Sequence, residues 1–308
     1  MTTKLETLPT PDKKSGGAGK PTNHRKPRES RGTLAFSRAQ RGKSLMKHGI
    51  LILAGGLMIY PLLWMVVSSL RPNELIFREP GLWLNSLEMS NYTSGWSALT
   101  HPFGHYMINS AIVVIGSILG NLISCSMAAY AFARLQFTAK KLLFGIMLPF
   151  HVVIVPQYIL FSQIGWVNTF WPLLVPKLLA TDAFFVFLMV QFIRGIPKDL
   201  DEAARIDGAG HPRIFLRVIL PLMVPALATT TIFTFIWTWN DFFGALIYLT
   251  DPDMFTVPVA LRAFVDSQSA TSWGSLFAMS IVSLLPVFLV FLFGQRFLIK
   301  GIATTGIK

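Results

Sequence analysis

Six long apolar runs divide this chain, at about residues 48–70, 107–133, 142–164, 172–193, 226–249 and 276–299. Each meets the roughly 20 residues that a helix needs to cross about 30 Å of hydrocarbon. In lipid a backbone must satisfy its own hydrogen bonds, so runs of this length predict spanning helices. Composition agrees, with 52% hydrophobic and only 14% charged residues; soluble domains carry about 25% charged residues. The expected fold is an all-α integral membrane protein with six transmembrane helices, its membrane domain covering residues 45–308.

Residues 1–44 are rich in Lys, Arg, Gly, Ser and Pro and poor in apolar residues. That composition predicts a disordered basic tail. It is not a signal peptide, because the basic region is too long and no small-residue cleavage site follows the apolar run. Residues 1–48 hold 12 Lys/Arg and 3 Asp/Glu, so the formal charge of +12 leaves only +3 for the rest of the chain. No folded basic face for nucleic acid is implied.

The connections alternate in charge. Arg134, Lys140 and Lys141 follow the second run; Arg194, Lys198, Arg205, Arg213 and Arg217 follow the fourth; Arg296, Lys300 and Lys308 lie at the end. The other side holds Arg71, Arg78, Arg262 and Lys177. Positive charge marks the cytoplasmic side, which predicts a multi-pass protein with both termini and the 194–225 loop cytoplasmic. Trp83, Trp96, Trp273 and Tyr92 on the outer segments fit the headgroup level.

Several chemistries find no support. Cys125 lies in an apolar run with no partner and reads as a small hydrophobe. His24, His48, His101, His105, His151 and His211 form no metal motif. His101 and His105 have helical spacing, but Pro102 and Gly104 between them predict a loop. Gly19-Lys20 and Gly42-Lys43-Ser44 are near-misses of a phosphate-binding loop and follow no strand, so no ATP site is expected here. A membrane-embedded enzyme would need facing carboxylates or a His cluster. Asp182 and Asp241 are the only acids in the runs, with His151 the only histidine nearby. Asn91-Tyr92-Thr93 matches a glycosylation acceptor, a short and common pattern.

The polar stretch between the fourth and fifth runs is the most specific feature. Pro197 suits an early helix position. Asp199, Asp201 and Glu202 suit a first turn, where the helix dipole favours negative charge. Leu200, Ala203 and Ala204 recur at i, i+3 and i+4 and give one apolar face. Gly208 suits a left-handed helix end, and Pro212 can start a second helix leading into the fifth run. The expected product is a short helix standing off the membrane, with small side chains that let another surface approach. Gly116-x-x-x-Gly120, followed by Ser124 and Ala128, gives the second run a small-residue ridge for close packing.

The stretch from Gln191 through Glu202-Ala203-Ala204-Arg205-Ile206-Asp207-Gly208-Ala209-Gly210 to Leu220-Pro221-Leu222 resembles the EAA loop of ATP-binding-cassette (ABC) importer permeases. Ala128–Arg134, Trp239-Asn240-Asp241-Phe242 and Gln295-Arg296-Phe297 resemble the same family, and more narrowly its MalG-type carbohydrate permeases of the MetI-like fold. The resemblance covers about residues 46–308. It implies a type I importer subunit, not an enzyme, in a bacterial or archaeal cytoplasmic membrane. The loop helix would be a coupling helix that fits a cytoplasmic ATPase through Glu202, Ala203, Ala204, Asp207, Gly208, Gly210, Leu220 and Pro221. ATP and Mg would be bound by that ATPase dimer, with no cofactor in this chain. A second, MalF-like permease would complete the path, and an external solute-binding protein would deliver the carbohydrate. The alternative is a permease of the same superfamily for another solute, such as a glycerol phosphate diester or a peptide.

Glu202 has a local reading too, as a partner of Arg205. Asp182, Trp237, Asn240 and Asp241 are candidates for the translocation path, because ionisable groups at membrane depth are functional hypotheses by default. For Asn240 and Asp241 the alternative is hydrogen bonding between helices. Lys177 and Asp182 are five residues apart, on different faces of a continuous helix, so they cannot be assumed to pair. Lys177 is expected to snorkel to the outer headgroups.

Overall fold

The structure, a computed structural model, describes residues 31–137, 150–267 and 272–305. Among them every regular element is helical: α1 (Arg31–Ser69), α2 (Ser90–Trp96), α3 (Phe103–Arg134), α4 (Phe150–Gln163), α5 (Trp171–Leu178), α6 (Ala183–Gly195), α7 (Asp199–Ile206), α8 (His211–Leu222), α9 (Val224–Trp239), α10 (Phe243–Tyr248), α11 (Val257–Ser267) and α12 (Trp273–Thr305). One compact unit runs from Ile59 to the end, and the chain up to Met58 is a unit of its own.

Four stretches are helical, long and apolar enough to cross a membrane: Lys43–Ser69, Phe103–Arg134, Trp171–Gly195 and Trp273–Arg296. The pair α8–α9, bent by 75°, adds a fifth if it is one span. Among the described residues the count is therefore four or five, not six. The expected span at 142–164 lies partly outside the described residues, and its described part, α4, has 14 residues.

Three expectations change. Residues 31–44, expected to be disordered, belong to α1. They contain no proline, and the helix of the first run extends back through them; residues 1–30 lie outside the described part. The fourth run is broken between Leu178 and Ala183. Thr181 N–H bonds Pro176 O (3.4 Å), and Ala180 takes the left-handed φ of +55°. This is the helix-ending pattern in which a left-handed residue closes the last turn. The fifth run ends at Trp239 rather than near 249, because Asn240 and Asp241 turn the chain before α10.

Helix α3 is the centre of the Ile59–Lys308 unit. Its ridge lies against α5: a Cβ on Gly116 would meet Leu174 Cδ2 at 2.6 Å, and one on Gly120 would meet the Lys177–Leu178 backbone at 3.2 Å. Ser124, the next step of the ridge, donates to Lys177 O at 2.7 Å. Without a hydrophobic drive in lipid, this close approach and its hydrogen bonds hold the helices together. Two apolar cores lie along α3. At its C-terminal end Cys125, Ala129 and Tyr130 meet Phe185, Met189 and Ile193 of α6 and Ile214, Ile219 and Met223 of the α8–α9 arm. At its N-terminal end Phe103, Tyr106 and Val114 meet Trp239, Phe264 and Met279.

Helix α8 contains a π turn at Phe215–Ile219. Pro221 and Pro225 flank the bend at Met223, where each removes a backbone donor from the helical ladder.

Candidate functional site: the loop helix and the polar node

Ile196 is extended (φ −80°, ψ 128°), as a residue before proline prefers. That geometry ends α6. Pro197 then stands two residues ahead of α7, which starts at Asp199; it precedes the helix instead of opening it. Three acids, Asp199, Asp201 and Glu202, occupy the first turn, where they complement the helix dipole. At the other end Gly208 has φ +78°. Its N–H bonds Arg205 O, and Ala209 N–H bonds Ala204 O, both at 2.9 Å. This is the double bond pattern of a Schellman ending, and it is why glycine stands there.

The faces of α7 differ from the expected single apolar stripe. Asp201 and Ala204 point inward, and Ala204 and Ala209 pack on the core around Met189 and Ile214. Leu200, Ala203 and Ile206 point outward, with Ile206 87% exposed. Glu202, Asp207 and Gly208 are exposed beside them. Ala204 is thus a packing residue and not part of the outer surface. Gly210 is exposed at the start of α8 in an ordinary extended conformation (φ −74°, ψ 169°). Leu220 and Pro221 lie in the last turn of α8 beside the bend, on a different element from α7.

The last two turns of α3 grip this loop from both sides. Arg134 Nε lies 2.7 Å from Asp201 Oδ2, and the two side chains are 3% and 7% exposed. Arg134 Nη2 also donates to Ile196 O at 2.8 Å. One turn back, the Tyr130 hydroxyl and His211 Nδ1 are 3.2 Å apart. Removing one partner of such a buried pair costs about 3–5 kcal/mol, because the other charge is left uncompensated. Sequence reasoning missed this pair. Asp201 read as one acid among three in a first turn, and nothing local linked it to Arg134.

About three turns further along α3 lies a second cluster. Lys177 Nζ is 2.9 Å from Asp182 Oδ2, and Asn121 Nδ2 donates to the same oxygen at 2.8 Å and to Thr234 Oγ1 at 3.1 Å. Asn121 is fully buried, whereas the Lys177 and Asp182 side chains are 30% and 22% exposed. The break at 179–182 makes the pairing possible and corrects the expectation that Lys177 snorkels to the outer headgroups.

Trp237 lies on α9, one turn beyond Thr234. Half-exposed, it packs on Phe184 and Phe185 at centroid distances of 5.1 and 5.2 Å. Trp239 is buried, and its indole N–H donates to Ser283 O at 3.0 Å. Asn240 and Asp241 serve their own turns. Asn240 Nδ2 donates to Ile236 O at 2.7 Å, and Asp241 Oδ1 accepts from Gly244 N–H at 3.0 Å.

At the opposite end of α3, His101 and His105 do come together. His101 Nε2 is 2.5 Å from Asp253 Oδ1, and His105 Nε2 is 2.7 Å from Asp253 O. Asn109 donates to Asp253 O and Phe255 O at 2.9 and 3.0 Å, so this cluster pins the 251–255 segment to α3. Asn91 is buried and donates to Ser69 O and Arg71 O, which leaves its amide no access to a modifying enzyme.

A family profile described as "Binding-protein-dependent transport system inner membrane component" matches residues 120–304. The diacetylchitobiose uptake system permease protein NgcG of Streptomyces coelicolor is 32% identical, over 85% of this chain and 88% of its own length. The trehalose/maltose transport system permease protein MalG of Thermococcus litoralis is 31% identical, over 86% and 99%. Among solved structures, a chain of a bacterial ABC transporter involved in the import of alginate aligns with a TM-score of 0.72 at 21% identity. The alignment covers 84% of this chain and 97% of that one, and it shows the same fold.

Proposed function

The chain belongs to the binding-protein-dependent transport system inner membrane components, and we propose from that membership that it forms half of the translocation path of an ATP-driven carbohydrate importer. It is a permease subunit and not an enzyme. The carbohydrate reading is supported by the diacetylchitobiose and trehalose/maltose relatives.

In this reading α7 is the coupling helix. Its outward face, Leu200, Ala203 and Ile206, fits a groove on a cytoplasmic ATPase, with Glu202 and Asp207 meeting basic side chains at the rim. The ATPase dimer binds ATP and Mg, a second permease completes the path, and an external solute-binding protein delivers the solute. Both termini and the loop face the cytoplasm. The observation that carries the reading is Ile206. A large apolar side chain 87% exposed, on a short helix otherwise anchored by a buried ion pair, fits a surface that a partner covers.

Asp182 and Trp237 are the path residues we retain. Charged groups within a span face protein or water in preference to lipid, so the side of the bundle bearing Lys177 and Asp182 faces the path. The pair is neutral as a unit, which suits an uncharged polyhydroxylated solute better than a phosphate diester. Trp237 beside Phe184 offers a ring for stacking. Asn240 and Asp241 are engaged in helix ends and contribute less.

Replacing Leu200 or Ile206 by Asp, or Glu202 by Lys, should leave membrane insertion intact. Co-purification of the ATPase and solute uptake should both be lost. If the ATPase co-purified normally and uptake survived, the docking face would be wrongly assigned.

A further inference from the structure

Arg134 lies at the C-terminal end of α3 and Asn121 is 13 residues earlier on the same helix, about 20 Å along it at 1.5 Å per residue. Both ends of this stretch are tied by polar contacts to segments interrupted by a joint. At the loop, the extended residue Ile196 is the joint between α6 and α7. Arg134 ties that joint to α7, donating to Ile196 O and ion-pairing with Asp201. At the node, residues 179–182 are the joint between α5 and α6. There α3 bonds the end of α5, through Ser124 to Lys177 O, and the last residue of the joint, through Asn121 to Asp182. Asn121 also reaches Thr234 of α9. The intervening helix is packed along α6 through Cys125, Ala129 and Tyr130, all buried.

We propose that α3 is the lever of this permease: it carries a displacement of α7 to the Lys177–Asp182 pair, with Arg134 and Tyr130 as positioning residues at one end and Asn121 and Ser124 at the other. The proposal rests on the reading of α7 as the coupling helix. A continuous helix is stiff, whereas α6 meets a joint at each end, so α6 alone would lose motion at those joints. Gly120 makes the transfer direct. Its Cα face lies against the Lys177–Leu178 backbone, so a shift of α3 pushes on α5 just before the break.

The test uses the importer assembled with its second permease and ATPase in proteoliposomes. Cys125→Ala removes this chain's single cysteine, and Trp237→Cys reports on the half-exposed face near the node by its rate of maleimide labelling, read on this subunit's own gel band. In this parent, trapping with ATP and vanadate should change the labelling rate several-fold. Asn121→Leu cuts the far end of the lever. The double change Arg134→Met with Asp201→Leu cuts the near end without leaving a lone buried charge, a replacement that is often neutral for stability. Both should retain the ATPase and its hydrolysis yet lose the vanadate-dependent change. If Asn121→Leu does not assemble, Ser124→Ala reads the same end by removing only the bond to Lys177 O. Variants that keep the parent's full change while bound to the ATPase overturn the lever. A parent that binds the ATPase and shows no change overturns it as well. Failure of the ATPase to depend on Leu200 and Ile206 sinks the coupling reading separately.

Discussion

Lys177 Nζ reaches both carboxylate oxygens of Asp182, at 3.0 and 2.9 Å, across a break in a single apolar run. On an unbroken helix, residues five apart sit about 140° from one another around the axis, at 3.6 residues per turn. The left-handed turn at Ala180 folds the chain so that the two charges meet.

Asp182→Ala should strand Lys177 in the span, and Lys177→Met should strand Asp182 with only Asn121 for support. A lone charge at membrane depth costs about 2.5–3.5 kcal/mol on insertion scales. We expect each single change to lower the melting temperature of the detergent-solubilised subunit more than the double change does. A double-mutant cycle with no coupling between the two sites would show that the pair contributes nothing to the fold.

Ala180 and Gly208 are a matched pair for a backbone test. Both hold left-handed φ values, +55° and +78°, at helix ends. Nothing lies within 4 Å of a Cβ built on Gly208. Gly208→Ala should therefore cost about 1–2 kcal/mol from backbone strain alone. Ala180→Gly should raise thermal stability by about 1 kcal/mol, because it removes the same strain. Melting curves of the two variants should move in opposite directions; movement in the same direction would contradict this account.

The glycine ridge of α3 gives an ordered prediction. A methyl at Gly116 would meet the tip of Leu174, which can change rotamer. At Gly120 a methyl would meet backbone atoms of Lys177 and Leu178, which cannot move without shifting α5. Gly120→Ala should cost about 1–3 kcal/mol, as overpacking does, and should exceed the cost of Gly116→Ala. Equal costs, measured by thermal unfolding in detergent, would mean that α3 and α5 separate freely.

Features written in local chemistry were legible before the structure. Gly208 followed an acid-rich, alanine-containing stretch, and it does close a helix in the left-handed conformation. The spacing of Gly116, Gly120 and Ser124 marked a packing ridge, which meets α5. The outward face of α7 was only half legible, because i, i+3, i+4 spacing does not say which side of a short helix is already covered. Ala204 took the inner side and Ile206 the outer.

What was missed depends on pairing across distance or on an atypical residue. The break at 179–182 is closed by Ala180, where a glycine would have announced it. Asp201 and Glu202 are adjacent acids, and only the position of Arg134, 67 residues away, decides which of them is buried. Asn240 and Asp241 looked like intramembrane functional groups because the fifth run is apolar well past them. In the folded chain they turn the backbone, a use that hydropathy does not register.

Arg71 follows the first span and is 2% exposed. Its guanidinium is folded back onto its own loop, where it donates to the carbonyls of Glu79, Gly81 and Trp83, while its own carbonyl accepts from Asn91. A guanidinium buried among these carbonyls keeps its charge but has those N–H donors already engaged, so they are not offered to lipid phosphates. In a chain whose 79–83 segment is not yet folded against it, the same side chain would lack those partners. For this segment, the electrostatics that govern insertion and those of the mature surface are separate properties of one residue.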